Sequence, residues 1–229
     1  LQRRFGRLMQ SSWDQLKPRT SYHFDPFKID PAYDAMRYAG RFTGDWSGEL
    51  EQTITSSEEI TWRNRNPKDG TSKDIESEEY DLVRSGADAD LILTNLEYDL
   101  LPVFQRMTDA LGLVSVDKKE LQTRVHIQQP GQVWNLHIDK LEKFNKTDPH
   151  SVYRFMVMLN DWEPGHFIQY GNFVHTGYRA GEIYSFDWYN VPHCTANAGL
   201  GPRCTLLVTG VATNQTHRLF STYNNKISV

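Results

Sequence analysis

The chain has 229 residues, a formal net charge of -4, and 12% aromatic side chains. That length suits one domain with a large core, the charge leaves no basic footprint for nucleic acid, and no apolar run reaches the length of a membrane span. Only Cys194 and Cys204 occur and no signal peptide opens the chain, so the expected compartment is a reducing cytoplasm, with both thiols serving as buried hydrophobes.

Residues 1–45, with prolines at 18, 26 and 31, read as irregular wrapping segments. The stretch 53–81 is polar and charged, with turn signals at Asn66-Pro67 and Asp69-Gly70. It reads either as a solvated loop or as a lid over a site. A lid selecting an amino acid would offer Arg63 and Arg65 to a carboxylate, Glu58, Glu59 or Glu76 to an amine, and Trp62 as a wall. Leu93, Leu96, Leu100, Phe104, Met107 and Leu111 recur at three and four, which predicts a helix over 88–111.

From 121 the pattern changes to period two. "LQTRVHIQ", "VYRFMVMLN", "FIQYGNFVHT", "GEIYSFDW" and "RCTLLVTGVAT" read as short strands, separated by Pro130-Gly131, Pro164-Gly165, Gly177 and "NAGLGP". The expected fold is mainly β: a double-stranded β-helix, or cupin-like jelly roll, over 121–215. It carries an N-terminal helical and loop elaboration over 1–111, the whole of 1–229 forming one domain.

"VWNLHIDK" puts His137 and Asp139 two apart at a strand end. About 0.6 such pairs are expected by chance here, so the pair alone decides nothing between a metal site and a polar pair. Strand alternation places Asn135, His137 and Asp139 on one face. His193, in "NVPHCTANAG", follows after three or four strands, enough to return the chain beside 133–139 in a jelly roll. Two imidazoles and one carboxylate make the facial triad of non-haem iron enzymes, with positions left open for other ligands. A closed structural zinc site would need a fourth ligand, which the cysteines are not placed to supply.

Arg203 opens an apolar strand, where a guanidinium must find an anion or stay at the rim. Facing inward it could clamp a carboxylate through two parallel hydrogen bonds, and Cys204 would then point away. Arg154 shares a face with Met156 and Met158, either as a second anion-binding group or in a buried ion pair. His126 shares its face with Arg124 and Gln128 on the strand that leads into the 133–139 strand.

The stretches "RVHIQQPGQVWNLHID", "YRFMVMLNDW" and "RAGEIYSFDWYNVPHCTANAGLGPRCTLLVTG" resemble the aspartyl/asparaginyl β-hydroxylases and the related bacterial cis-proline hydroxylases. The resemblance covers about the last hundred residues and includes Asn197. It implies a 2-oxoglutarate- and Fe(II)-dependent dioxygenase that uses O2 to hydroxylate an unactivated carbon of an amino acid or peptidyl residue. It implies His137, Asp139 and His193 as iron ligands, Arg203 aided by His126 on the distal carboxylate of 2-oxoglutarate, and Arg154 near the iron-chelating carboxylate. Met156 departs from the histidine that family members often carry there. Asp139 follows the bacterial branch and argues against a halogenase, which needs that position vacated. The expected partner is a small-molecule or peptide substrate, with neither nucleic acid nor membrane. The alternatives are a cupin-like metal enzyme without oxygen chemistry, which has no need for Arg203, and a non-catalytic β-sandwich binding module.

Overall fold

The computed structural model describes residues 36–56, 59–61, 90–94, 101–115, 121–137, 139, 144–171, 173–188, 191–221 and 225–229. Strands β1 (Arg37–Thr43), β2 (Glu59–Thr61), β3 (Asp90–Thr94), β4 (Gln122–Gln128), β5 (Val133–His137) and β6 (Val152–Met158) come first along the chain. They are followed by β7 (His166–Tyr170), β8 (Phe173–His175), β9 (Glu182–Ser185), β10 (His193–Asn197), β11 (Arg203–Val211) and β12 (Lys226–Ser228). Helices α1 (Ser47–Ser56), α2 (Pro102–Ala110) and α3 (Asn214–Leu219), with a single 3-10 turn at Pro149–Ser151, complete the described elements.

The strands form two sheets, in the orders β12-β1-β9-β6-β11-β4-β3-β2 and β5-β10-β7-β8. The fold is a jelly roll, mainly β. Strand β11 is central in the large sheet and buried along nearly its whole length, which explains its almost unbroken apolar sequence. Its two faces serve two cores. Cys204, Leu206 and Val208 join Val125, Ile127, Phe155 and Val157 in the outer core, with Val103, Phe104, Met107 and Leu111 from and just after α2. Leu207 joins Met156, Met158, Ile168, Tyr170, Phe186 and Trp188 in the inner core between the sheets. Each fully buried side chain of this size contributes about 1.5–3 kcal/mol.

The helix expected over 88–111 is shorter, and its first part is a strand. Residues 90–94 pair with β4 and β2, and α2 begins only at Pro102. Pro102 is the physical reason: inside a helix its ring clashes with the preceding turn, but at the first helical position its missing N–H costs nothing. The 1–111 part is accordingly more than helix and loop, since β1, β2 and β3 all enter the large sheet. The sheet also takes in β12, beyond 215. Of the charged stretch 53–81, residues 53–56 finish α1 and Glu59 lies in β2. Glu58, Trp62, Arg63, Arg65 and Glu76 lie outside the described residues. Among the described residues no helix is long and apolar enough to cross a membrane.

Candidate functional site

Strand register lays the inner face of the large sheet out in rows. Gln122, Thr209 and Arg154 stand side by side across β4, β11 and β6. Arg124, Leu207 and Met156 form the next row, His126, Thr205 and Met158 the third, and Gln128 and Arg203 the fourth. Successive rows are about 6.7 Å apart along a strand. The small sheet brings β5 and β10 together with His137 directly opposite His193 in the register.

Strand β5 ends at His137, and Asp139 is held just beyond it by its backbone N–H, which donates to the Trp188 carbonyl at 2.8 Å. The Asp139 carboxylate is buried. Its Oδ2 receives the Arg154 Nη1 hydrogen bond and lies 3.6 Å from His193 Nε2. Of the two roles open to Arg154 in the sequence, the buried ion pair is the one seen. Arg154 also donates from Nε to Thr209 Oγ1 at 2.7 Å.

His193 is buried, and its Nδ1 lies 3.0 Å from the Val191 carbonyl. A carbonyl only accepts, so Nδ1 carries the proton and, in the neutral ring, Nε2 carries the lone pair. A histidine held this way through its second nitrogen is prepared as a metal ligand. Ligands about 2.1 Å from one ion and at right angles stand about 3 Å apart, close to the His193–Asp139 separation. An imidazole and a carboxylate are both donor types that a divalent metal takes. Among the described side chains no three His, Cys, Asp or Glu residues gather to hold one. The His137 side chain lies outside that set, although its backbone is in β5.

At the other end of β11, Arg203 is 2% exposed. Its Nε donates to Gln128 Oε1 at 2.8 Å, while Nη1 is buried without a hydrogen-bond partner among the described residues. His126 Nε2 is likewise buried and unpartnered. Burial first, and then the guanidiniums of Arg124, Arg154 and Arg203, push His126 well below the ordinary histidine range, with Asp139 opposing. The ring is neutral at pH 7, and the charges acting on it are three cations and one carboxylate. Two orphaned polar groups in such surroundings suit an anion that brings its own hydrogen-bond acceptors.

Of the five site residues with described side chains, Asp139, His193, Arg154 and His126 fall in one neighbourhood, and Arg203 acts on it from the fourth row. Cys204 turns into the outer core as alternation requires. Both thiols are free, and Cys194 is only half-buried, with its Sγ toward Gln169. Sequence reading gave no role to three supports. Gln128 is the residue bonded to Arg203, and its even-numbered place beside His126 was the available signal. Asn197 donates from Nδ2 to the carbonyls of Gln128 and Gly201, both at 2.8 Å, and accepts from Gly199 N, so it pins the loop that delivers Arg203. Trp188 touches Asp139, Arg154 and His193, and only its place in an aromatic stretch hinted at this.

No family model matches the chain, and no curated protein sequence matches it. Solved structures do. A Pseudomonas putida prolyl-4-hydroxylase is 14% identical with a TM-score of 0.50, over 78% of this chain and 93% of that one. The non-heme alpha ketoglutarate dependent epimerase SnoN from nogalamycin biosynthesis is 10% identical with a TM-score of 0.49, over 77% of each chain. A cupin 2 conserved barrel domain protein from Salinispora arenicola is 11% identical with a TM-score of 0.32, over 67% of this chain and all of that one. At these identities the likeness is one of fold, and it is the prolyl-4-hydroxylase that carries it: the chain has the jelly-roll architecture on which that enzyme is also built.

Proposed function

We propose that the protein is a non-haem Fe(II)- and 2-oxoglutarate-dependent dioxygenase that hydroxylates an unactivated carbon of an amino acid or peptidyl residue. One observation carries the reading. A buried arginine with an unpartnered Nη1 and a neutral histidine with an unpartnered Nε2, both on the large sheet, accompany a histidine–aspartate pair prepared for a metal at the ends of β10 and β5 in the small sheet. A metal enzyme without a dicarboxylate cosubstrate has no need for the first two groups.

In this reading His137, Asp139 and His193 hold the metal. Arg203 and His126 take the far carboxylate of 2-oxoglutarate, and Arg154 stands near the carboxylate that chelates the metal. Bound there, Fe(II) with O2 and 2-oxoglutarate supplies the oxidant that converts a substrate C–H to C–OH, the cosubstrate leaving as succinate and CO2. The chain's own residues bind and orient. Gln128 fixes the Arg203 fork through Nε. The Val191 carbonyl fixes the His193 tautomer, and Arg154 pairs with Asp139. The apolar residues Met156, Met158, Ile168 and Leu207 keep water out of the space between the sheets.

The test is succinate formation from 2-oxoglutarate with Fe(II), with and without a panel of amino acids and short peptides. Succinate that depends on iron and rises with one class of substrate supports the reading. Metal binding with no consumption of 2-oxoglutarate rejects it and favours a cupin-like enzyme of other chemistry.

A further inference from the structure

We propose that Trp188 is a positioning residue for the metal site: its indole sets the orientation of His193 and Arg154, while its backbone carbonyl holds Asp139. The inference rests on the reading of Asp139 and His193 as metal ligands and goes beyond it, because Trp188 ligates nothing.

Each of the three groups meets Trp188 separately. The His193 ring stands edge-on to the indole, with centroids 4.8 Å apart and planes at 82°. His193 is also held through Nδ1 on Val191, so the hydrogen bond sets where the imidazole is anchored and the indole wall sets its rotation. Asp139 is tied through the backbone, its N–H donating to the Trp188 carbonyl at 2.8 Å. Arg154 is gripped twice. The Trp188 Nε1–H donates to the Arg154 carbonyl at 2.8 Å, and the Arg154 guanidinium lies over the indole, 5.5 Å from the ring centroid. The indole is itself locked, stacked on Phe186 with centroids 3.9 Å apart and 6% exposed. A planar side chain held this tightly transmits any change in its own seat to His193 and Arg154, and through Arg154 to the carboxylate it pairs with.

The protein contains a matched control. Trp46 is 7% exposed, and its Nε1 donates to the Leu159 carbonyl at 2.9 Å, but it belongs to the outer core. Trp46→Phe removes the indole donor to the buried Leu159 carbonyl, whereas in Trp188→Phe the Arg154 carbonyl keeps Ser185 Oγ at 2.9 Å, so Trp46→Phe should lose at least as much stability. Only Trp188 should affect a metal.

The experiment titrates Co(II) into the full chain and into Trp188→Phe, Trp188→Leu and Trp46→Phe, following the cobalt d–d absorption and the melting temperature of each. Trp188→Leu is expected to weaken Co(II) binding by about 10–100-fold and to change the band shape. Trp188→Phe, which keeps a ring against His193 but loses the Arg154 bond, is expected to fall between it and the wild type. Trp46→Phe is expected to melt lower with unchanged Co(II) affinity and spectrum. A second measurement on the wild type does not depend on the variants folding: Zn(II) should shift the indole N–H resonance of Trp188 and leave that of Trp46 in place. If the wild type binds no divalent metal, the functional reading falls and this inference with it. If the wild type binds metal but Trp188→Phe matches it in affinity and spectrum, or the Trp188 resonance does not respond, the positioning role alone is overturned.

Discussion

Arg203 and Gln128 face each other across β11 and β4, joined by one bond from Nε to Oε1 at 2.8 Å. That bond uses the side of the guanidinium that a bidentate carboxylate does not need and leaves Nη1 for a ligand. Replacing Arg203 with Ala should therefore weaken 2-oxoglutarate binding by about 2–5 kcal/mol, the cost of losing one partner of a buried charge pair. Arg203→Lys should recover only part, because an ammonium keeps the charge and loses the fork. The dissociation constant for 2-oxoglutarate measures both. An unchanged value in Arg203→Ala rejects the clamp.

His137→Ala and His193→Ala should each abolish metal binding and turnover while the fold survives. The two positions are opposite one another in the β5–β10 register, near a sheet end. Calorimetric metal titration and circular dichroism on the same samples check this. Retained metal stoichiometry in either variant removes that residue from the ligand set.

Much of this site could be read in the sequence, because strand alternation is a local property. Period two from 121 onward placed Arg154, Met156 and Met158 on one face and sent Cys204 away from Arg203, and the structure has both. What escaped was non-local or competing. Leucines at helical spacing masked β3, since apolar periodicity cannot weigh the pairing that β4 offers. The same periodicity ran through Pro102, which should have stopped it. Gln128, Asn197 and Trp188 act through partners on other strands, and no spacing rule in one sequence exposes such pairings.

Acid should destabilise the protein below the ordinary histidine range. His126, His166 and His175 are all lowered, each chiefly by burial. An unfolded histidine gains its proton near pH 6.5, whereas these three stay neutral in the folded chain until lower pH. Between their folded values and about 6.5 the unfolded state binds more protons, so stability falls as pH falls; above that window these groups contribute no slope. Melting temperatures at pH 7.5 and pH 5.5 should show the drop, and His126→Asn should flatten it. A profile that stays level to pH 5.5 contradicts the burial of these rings.

Two glycines separate backbone strain from crowding. Gly165 (φ +100°) and Gly177 (φ +71°) both lie in the left-handed region that favours glycine. A Cβ on Gly177 would meet nothing within 4 Å, whereas one on Gly165 would stand 2.3 Å from Gly199 N and 2.5 Å from the Ala198 carbonyl carbon. Gly177→Ala should thus cost about 1 kcal/mol from φ alone. Gly165→Ala should cost about 1–3 kcal/mol more, because backbone cannot step aside as a flexible side chain does. The extra strain has a definite destination. Residues 198–202 form the loop that Asn197 ties to Gln128 and that opens into Arg203, and Ala198 N already donates to the Gly165 carbonyl at 2.9 Å. Pushing that loop outward moves Arg203 relative to Gln128, so Gly165→Ala should weaken 2-oxoglutarate binding as well as lower the denaturation midpoint, while Gly177→Ala should do only the second. Equal midpoints for the two variants would show that the loop yields without cost, and equal 2-oxoglutarate affinities would show that it does not set the position of Arg203.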